Sequence, residues 1–150
     1  MKINIIYESH FGNGKKIVDD LTKILESKKQ NVELFSVKNT SFDKLPVADL
    51  YIFSSPTRKF TLPPDMSNFL DNFNPPTKYV RYALMTTYYL DPRTIALKKM
   101  TAKLDKKEIK KAANDFKVRI AGLRGPIKED YMERLAIFAE ELVKEPTKLN

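Results

Sequence analysis

The sequence contains no cysteine, one histidine and only four glycines. Without cysteine, disulfides, thiolate metal sites and a cysteine nucleophile are excluded. With His10 as the sole imidazole, a catalytic histidine pair and a multi-histidine zinc site are excluded as well. No apolar run approaches the ~20 residues that a membrane-spanning helix needs. The opening MKINIIYES is apolar over only a few residues and lacks a small-residue cleavage site, so it reads as a strand rather than a signal peptide. A cytoplasmic protein is the expectation. Scarce glycines are more informative than common ones, and Gly12 and Gly14 share a single turn.

What is present fits a globular protein. The chain has 150 residues, of which 42% are hydrophobic, 11% aromatic and 31% charged. That length predicts a single domain over 1–150, large enough to bury roughly 70% of its unfolded surface. The composition excludes collagen-like, low-complexity and disordered classes. The net charge is +8, from 27 basic against 19 acidic residues. A basic chain attracts phosphates, acidic protein surfaces or anionic lipid, and its charge says nothing about fold.

Lys2–Glu8 (KINIIYE) is dense in β-branched and aromatic residues, as in a strand buried on both faces. After the turn Ser9–Gly14, residues Ile17, Val18, Leu21, Ile24 and Leu25 fall at helical spacing. The alternation then repeats. Strands are predicted at Asn31–Val37, Asp49–Ser54, Lys78–Thr86 and Phe116–Ala121. Helices are predicted at Leu62–Phe73, Arg93–Ala113 and Glu129–Lys144. Strands alternating with helices imply right-handed crossovers and a parallel sheet covered on both faces. The expected fold is a three-layer α/β sandwich whose five-stranded parallel sheet has the order 2-1-3-4-5.

In such a sheet, ligands bind beyond the carboxyl ends of the strands, near the switch point between the first and third. Ser9–Gly14 would lie there and feed a helix N-terminus, where free N–H groups favour an anion. A Walker A loop is excluded because Ser9 stands where its first glycine belongs. The G-x-G-x-x-G pattern fails because residue 17 is isoleucine. On the residues alone, a phosphate cradle and an ordinary strand-to-helix turn both stand. A magnesium-binding receiver domain is disfavoured, because the first strand ends in one carboxylate, Glu8, rather than an acidic cluster.

The stretch Ile5–Ile17, IIYESHFGNGKKI, resembles the opening of a flavodoxin. There a Ser/Thr-x-Thr-Gly-x-Thr loop wraps the phosphate of FMN. Ser9 matches the first hydroxyl and Gly12 the glycine, while Phe11 and Gly14 stand where threonines are frequent. Ala48–Phe73, with its Ser-Pro-Thr loop and Phe-Leu-Asp helix, is similar to the family's third strand and the helix after it. Arg119–Leu142 looks like its last strand, Gly-Pro turn and closing helix. The resemblance implies FMN as cofactor, held by Ser9, His10, Phe11, Gly12, Asn13 and Gly14 at the phosphate. It further implies Pro56, Thr57, Arg58, Lys59 and Phe60 in one loop beside the flavin ring, and Thr87, Tyr88 and Tyr89 in another. Phe60 and Tyr88 or Tyr89 are the candidate stackers, and backbone groups at 56–59 and 87–89 the candidate partners of the ring's polar edge. His10 reads first as a solvated loop residue and second as a ligand contact.

The resemblance implies an electron carrier between redox partner proteins, in which the cofactor performs the redox chemistry. Two other readings stay open: a small NAD(P)H-dependent flavin reductase, and a binding module of this fold that has lost flavin. Residues 98–111 hold seven lysines. On a continuous helix, Lys99, Lys103, Lys107 and Lys111 would share one face. That face reads as solvated, or as a docking surface for an acidic partner. Nucleic acid is not expected, since no recognition motif accompanies the lysines.

Overall fold

The computed structural model describes residues 1–58, 61–90 and 92–145. Among these residues, six strands and four α-helices follow one another as β1 Lys2–Tyr7, α1 Asn13–Ser27, β2 Asn31–Ser36, β3 Leu50–Pro56, α2 Pro64–Asn72, β4 Arg81–Tyr88, α3 Ile95–Asp105, β5 Lys110–Lys111, β6 Phe116–Arg119 and α4 Met132–Val143. The sheet is parallel throughout and runs β2-β1-β3-β4-β5, with β6 also paired to β4. The predicted order therefore stands, with one modification: two short segments share the fifth position. Arg81 and Tyr82 pair with β5, and Met85–Tyr88 with β6. Ala83 and Leu84 face residues 112–115, so the edge carries extra chain and bulges between its two segments.

The continuous apolar runs of the central strands follow from burial on both faces. On one face Ile3, Ile5, Leu50, Ile52 and Met85 pack against α1 and α4, through Val18, Leu21, Leu25, Leu135, Phe138 and Leu142. On the other, Ile6, Tyr51, Phe53, Tyr82 and Leu84 pack against α2 and α3, through Met66, Phe69, Leu70, Met100 and Leu104. Pro64 opens α2, where a missing N–H costs nothing.

The long basic helix is a correction. α3 stops at Asp105, and Glu108 takes a left-handed φ of 62° before the chain rejoins the sheet as β5. Lys107 and Lys111 therefore lie off the helix. Lys99 Nζ donates to Thr61 Oγ1 at 2.6 Å, Lys103 pairs with Asp71 at 2.5 Å, and Lys111 pairs with Asp115 at 2.9 Å. The lysine stripe does not exist as one free face.

A polar latch joins α1 to the start of α4. Lys16 Nζ donates to Tyr131 Oη at 2.8 Å, and Tyr131 Oη donates to Asp20. Burial pushes the Asp20 carboxyl up, but the hydrogen bonds from Tyr131 and Lys16 outweigh it and hold the group below its ordinary 3.8. A depressed carboxylate stabilises the fold above its unfolded value and loses that contribution as pH falls through the folded one. Tyr131→Phe should cost about 1 kcal/mol at neutral pH, the worth of a typical hydrogen bond. The difference from the parent should shrink once Asp20 is protonated. Urea unfolding at neutral pH and again well below 3.8 checks both points, and a gap that persists in acid would remove Asp20 from the latch.

Candidate functional site

The carboxyl ends of β1, β3, β4 and β6 converge on an open cleft. Its lining comes from four chain segments: Glu8–Phe11 with Asn13 and Gly14 after β1, Pro56–Arg58 at the end of β3, Thr87 and Tyr89 at the end of β4, and Ile120 and Leu123 after β6. Sequence reasoning anticipated the first three segments and missed the fourth. A leucine set between two of the four glycines, in Gly122-Leu123-Arg124-Gly125, was the available signal.

The turn after β1 carries the most distinctive geometry. Gly12 has φ +89° and serves as the N-cap of α1. A Cβ built there would meet no protein atom within 4 Å. Among the described residues, none of the backbone N–H groups from Ser9 through Gly14 donates to a protein acceptor. The first protein-bonded donors after them are Lys15 N–H, which reaches Ser9 Oγ at 3.2 Å, and Lys16 N–H, which reaches Gly12 O at 3.0 Å. Ser9 Oγ thus caps the helix in place of the N-cap side chain and keeps its own proton for another acceptor. Consecutive free N–H groups at a helix N-terminus make an anion-binding concavity.

Asn13 turns away from this concavity. Its Nδ2 donates to Arg124 O at 3.1 Å, and its side chain lies within 2.6–3.0 Å of where a Cβ on Gly125 would be. Gly125, at φ +93°, is therefore required by a tertiary contact as well as by its backbone.

Glu8 and His10 form a second feature. Glu8 is only 2% exposed. Its Oε1 accepts from Met66 N–H at 3.0 Å, in the first turn of α2, and its Oε2 lies 2.6 Å from His10 Nε2. The carboxylate thus joins the end of β1 to the N-terminus of α2, where negative charge is favoured. His10 is therefore held through one nitrogen rather than freely solvated, which corrects the first expectation for it, and its ring lines the cleft. Both Glu8 oxygens have protein partners, and the described residues hold no cluster of three or more metal-binding side chains.

The two ring-side loops differ from expectation. Thr57 N–H donates to Thr87 O at 2.8 Å, and Arg58 N–H to Thr61 O at 3.0 Å. These two amides are already satisfied within the protein, and Pro56 has none. Thr87 and Tyr88 belong to β4 rather than to a loop. Of the tyrosine pair, Tyr89 lines the cleft, while the Tyr88 ring sits 5.9 Å from Lys117 Nζ. Lys59 and Phe60 lie outside the described residues. Phe11 is 45% exposed, with the Arg58 and Arg124 guanidinium carbons 5.5 and 5.6 Å from its ring centroid.

No helix among the described residues is long and apolar enough to cross a membrane. No family model and no curated protein matches the sequence. Solved structures do match. Oxidised flavodoxin 1 from Bacillus cereus is similar at TM-score 0.80 and 19% identity, over 98% of this chain and 100% of that one. A flavodoxin from the domain Archaea is similar at TM-score 0.78 and 18% identity, over 95% of this chain and 96% of that one. Rubredoxin oxygen:oxidoreductase from Desulfovibrio gigas reaches TM-score 0.76 at 16% identity, over 94% of this chain and 35% of that one. At these identities the likeness is one of architecture: the chain has a flavodoxin-like α/β fold.

Proposed function

We propose that this chain is a single-domain FMN-binding protein that carries electrons between partner proteins. The observation that carries the reading is the run of free N–H groups from Ser9 to Gly14 around Gly12, at the mouth of a cleft with an aromatic wall. A phosphate is the anion such a concavity suits. The flavodoxin-like fold supports FMN as the molecule that bears it. When bound, the flavin would supply the electron chemistry, and the chain would bind, orient and tune it.

The residues divide the work. Ser9, Phe11, Gly12 and Gly14 would hold the phosphate through backbone N–H groups and the Ser9 hydroxyl. Tyr89 is the aromatic side chain for the ring face, and Leu123 and Ile120 offer apolar contact on the remaining wall. The carbonyl of Thr57, which accepts from no donor among the described residues, is left for the ring's polar edge, since Arg58 O already accepts from Thr61 N–H at 2.8 Å.

The flavin-free reading rests on Phe11 and Gly14, where threonine hydroxyls are absent. Titration decides between the two. FMN should bind with Kd of about 1 μM or tighter, on the order of −8 kcal/mol. Riboflavin, which lacks the phosphate, should bind at least about tenfold more weakly, a difference of roughly 1.4 kcal/mol. Equal affinities would remove the phosphate cradle from the account. No quenching of FMN fluorescence at high micromolar protein would favour the flavin-free module.

A further inference from the structure

We propose that the rim of the cleft at Phe11, Arg58, Leu123 and Arg124 is a docking surface for an acidic protein partner. The inference rests on the electron-carrier reading and adds where the partner binds and what charge it bears.

Ion pairing separates these arginines from several other cations of the chain. Lys15, Lys16, Lys103, Lys111 and Arg134 each pair with a carboxylate. Arg58 and Arg124 instead rest against one aromatic ring, and among the described residues neither guanidinium meets a carboxylate. Glu8, the carboxylate in the cleft below, is buried and held by His10 and Met66 N–H, so it does not reach out to them. A guanidinium lying on an aromatic ring has part of its position fixed before binding. Its N–H fork remains available for a bidentate carboxylate, which limits the side-chain entropy lost on association.

The apolar part completes the pattern. Phe11 and Leu123 are 45% and 68% exposed, and both border the cleft. An exposed aromatic and leucine beside two arginines is the composition of an interface centre, where aromatics and arginine are enriched. Charge complementarity sets the occupant: the chain is +8 overall, and this rim places two guanidinium groups that meet no carboxylate among the described residues at the entrance to the proposed cofactor site. A partner that reached the site would present carboxylates around a small apolar centre. The surface of α3 is the weaker competitor, because Lys99 and Lys103 are engaged with Thr61 and Asp71.

The test uses isotope-labelled, FMN-loaded protein, with loading read first from the flavin absorbance. Failure to load counts against the cofactor reading alone, and the titrations then proceed on the protein as purified. An acidic two-iron ferredoxin is the probe, basic cytochrome c the counter-probe, and phosphatidylglycerol vesicles the lipid control. At low salt, ferredoxin should shift amide resonances at residues 9–12, 57–58 and 120–125, and cytochrome c should not. Arg124→Glu should weaken ferredoxin binding by about fivefold or more, and Lys107→Glu should leave it within about twofold, since exposed charges act over roughly a Debye length of ~8–10 Å. Raising salt from about 50 to about 200 mM should erase most of the shifts. Shifts centred on α3, an unchanged affinity in Arg124→Glu, no ferredoxin shifts, or vesicle binding at the rim without ferredoxin binding would each overturn the proposal.

Discussion

Gly12→Val should weaken FMN binding by at least about tenfold, while Gly14→Ala should leave it within about threefold. The contrast comes from backbone rather than from space. Gly12 holds φ +89°, where an L-residue is strained and a β-branched one is a genuine outlier. That strain is on the order of 1–2 kcal/mol, and about 1.4 kcal/mol is tenfold in affinity. The chain would relieve it by rotating the Gly12 peptide, and the run of free N–H groups would no longer point into one concavity. Crowding by protein is not the cause, since nothing lies within 4 Å of the added Cβ. At Gly14 no positive φ is required, and a Cβ meets Glu8 O and Ser9 Oγ at 3.7 Å, an ordinary contact. Gly14→Thr would add a hydroxyl at the helix N-terminus and should tighten FMN. Fluorescence titration of the three variants provides the measurement. Equal affinity of parent and Gly12→Val would refute the assigned cradle.

Glu8→Ala should destabilise the fold by about 3 kcal/mol, and Glu8→Gln by about half as much. Glu8 is nearly inaccessible to water and makes a charged hydrogen bond to Met66 N–H as well as its contact to His10. Truncation leaves the N–H buried without an acceptor, at roughly 1–3 kcal/mol, and removes negative charge from a helix N-terminus, worth about 0.3–1 kcal/mol. It also frees the start of α2, whose Met66, Phe69 and Leu70 fill the core on that side of the sheet. Glutamine can keep the acceptor for Met66, but it loses the charge. Urea unfolding, with unchanged m-values, reads both effects. A Glu8→Ala loss under about 0.5 kcal/mol, the size of an ordinary surface substitution, would show that α2 does not depend on this carboxylate.

The glycine turn after β1 was legible because its demands are local. A buried strand running into an amphipathic helix forces a sharp turn, and the left-handed φ at Gly12 selects glycine almost regardless of the rest of the protein. The helix end at Asp105 was not legible. Lysine is a good helix former, and no glycine or proline marks the stop. The helix ends because the chain must return to the edge of β4, and Glu108 adopts a left-handed φ to take it there. Lys110 and Lys111, exposed on both sides, show none of the apolar character that identifies a strand. Their pairing with Arg81 and Tyr82 makes them one.

The candidate site divides in the same way. Ser9, Gly12 and Gly14 declare themselves in one short segment, as does the tyrosine pair at the end of β4. His10 with Glu8, Asn13 with residues 124–125, and the two arginines on Phe11 are pairings of side chains and loops set by packing. Except for His10 with Glu8, they join residues far apart in sequence. The sequence by itself determined the alternating elements, the parallel order and the glycine turn, because periodicity and backbone freedom are properties of neighbouring residues. Only the tertiary structure decided that the turn after β6 closes the cleft, that Tyr89 rather than Tyr88 lines it, and that the amides of Thr57 and Arg58 are satisfied. Each of those outcomes depends on how the strand ends and loops meet, and that is decided when the sheet packs against its helices.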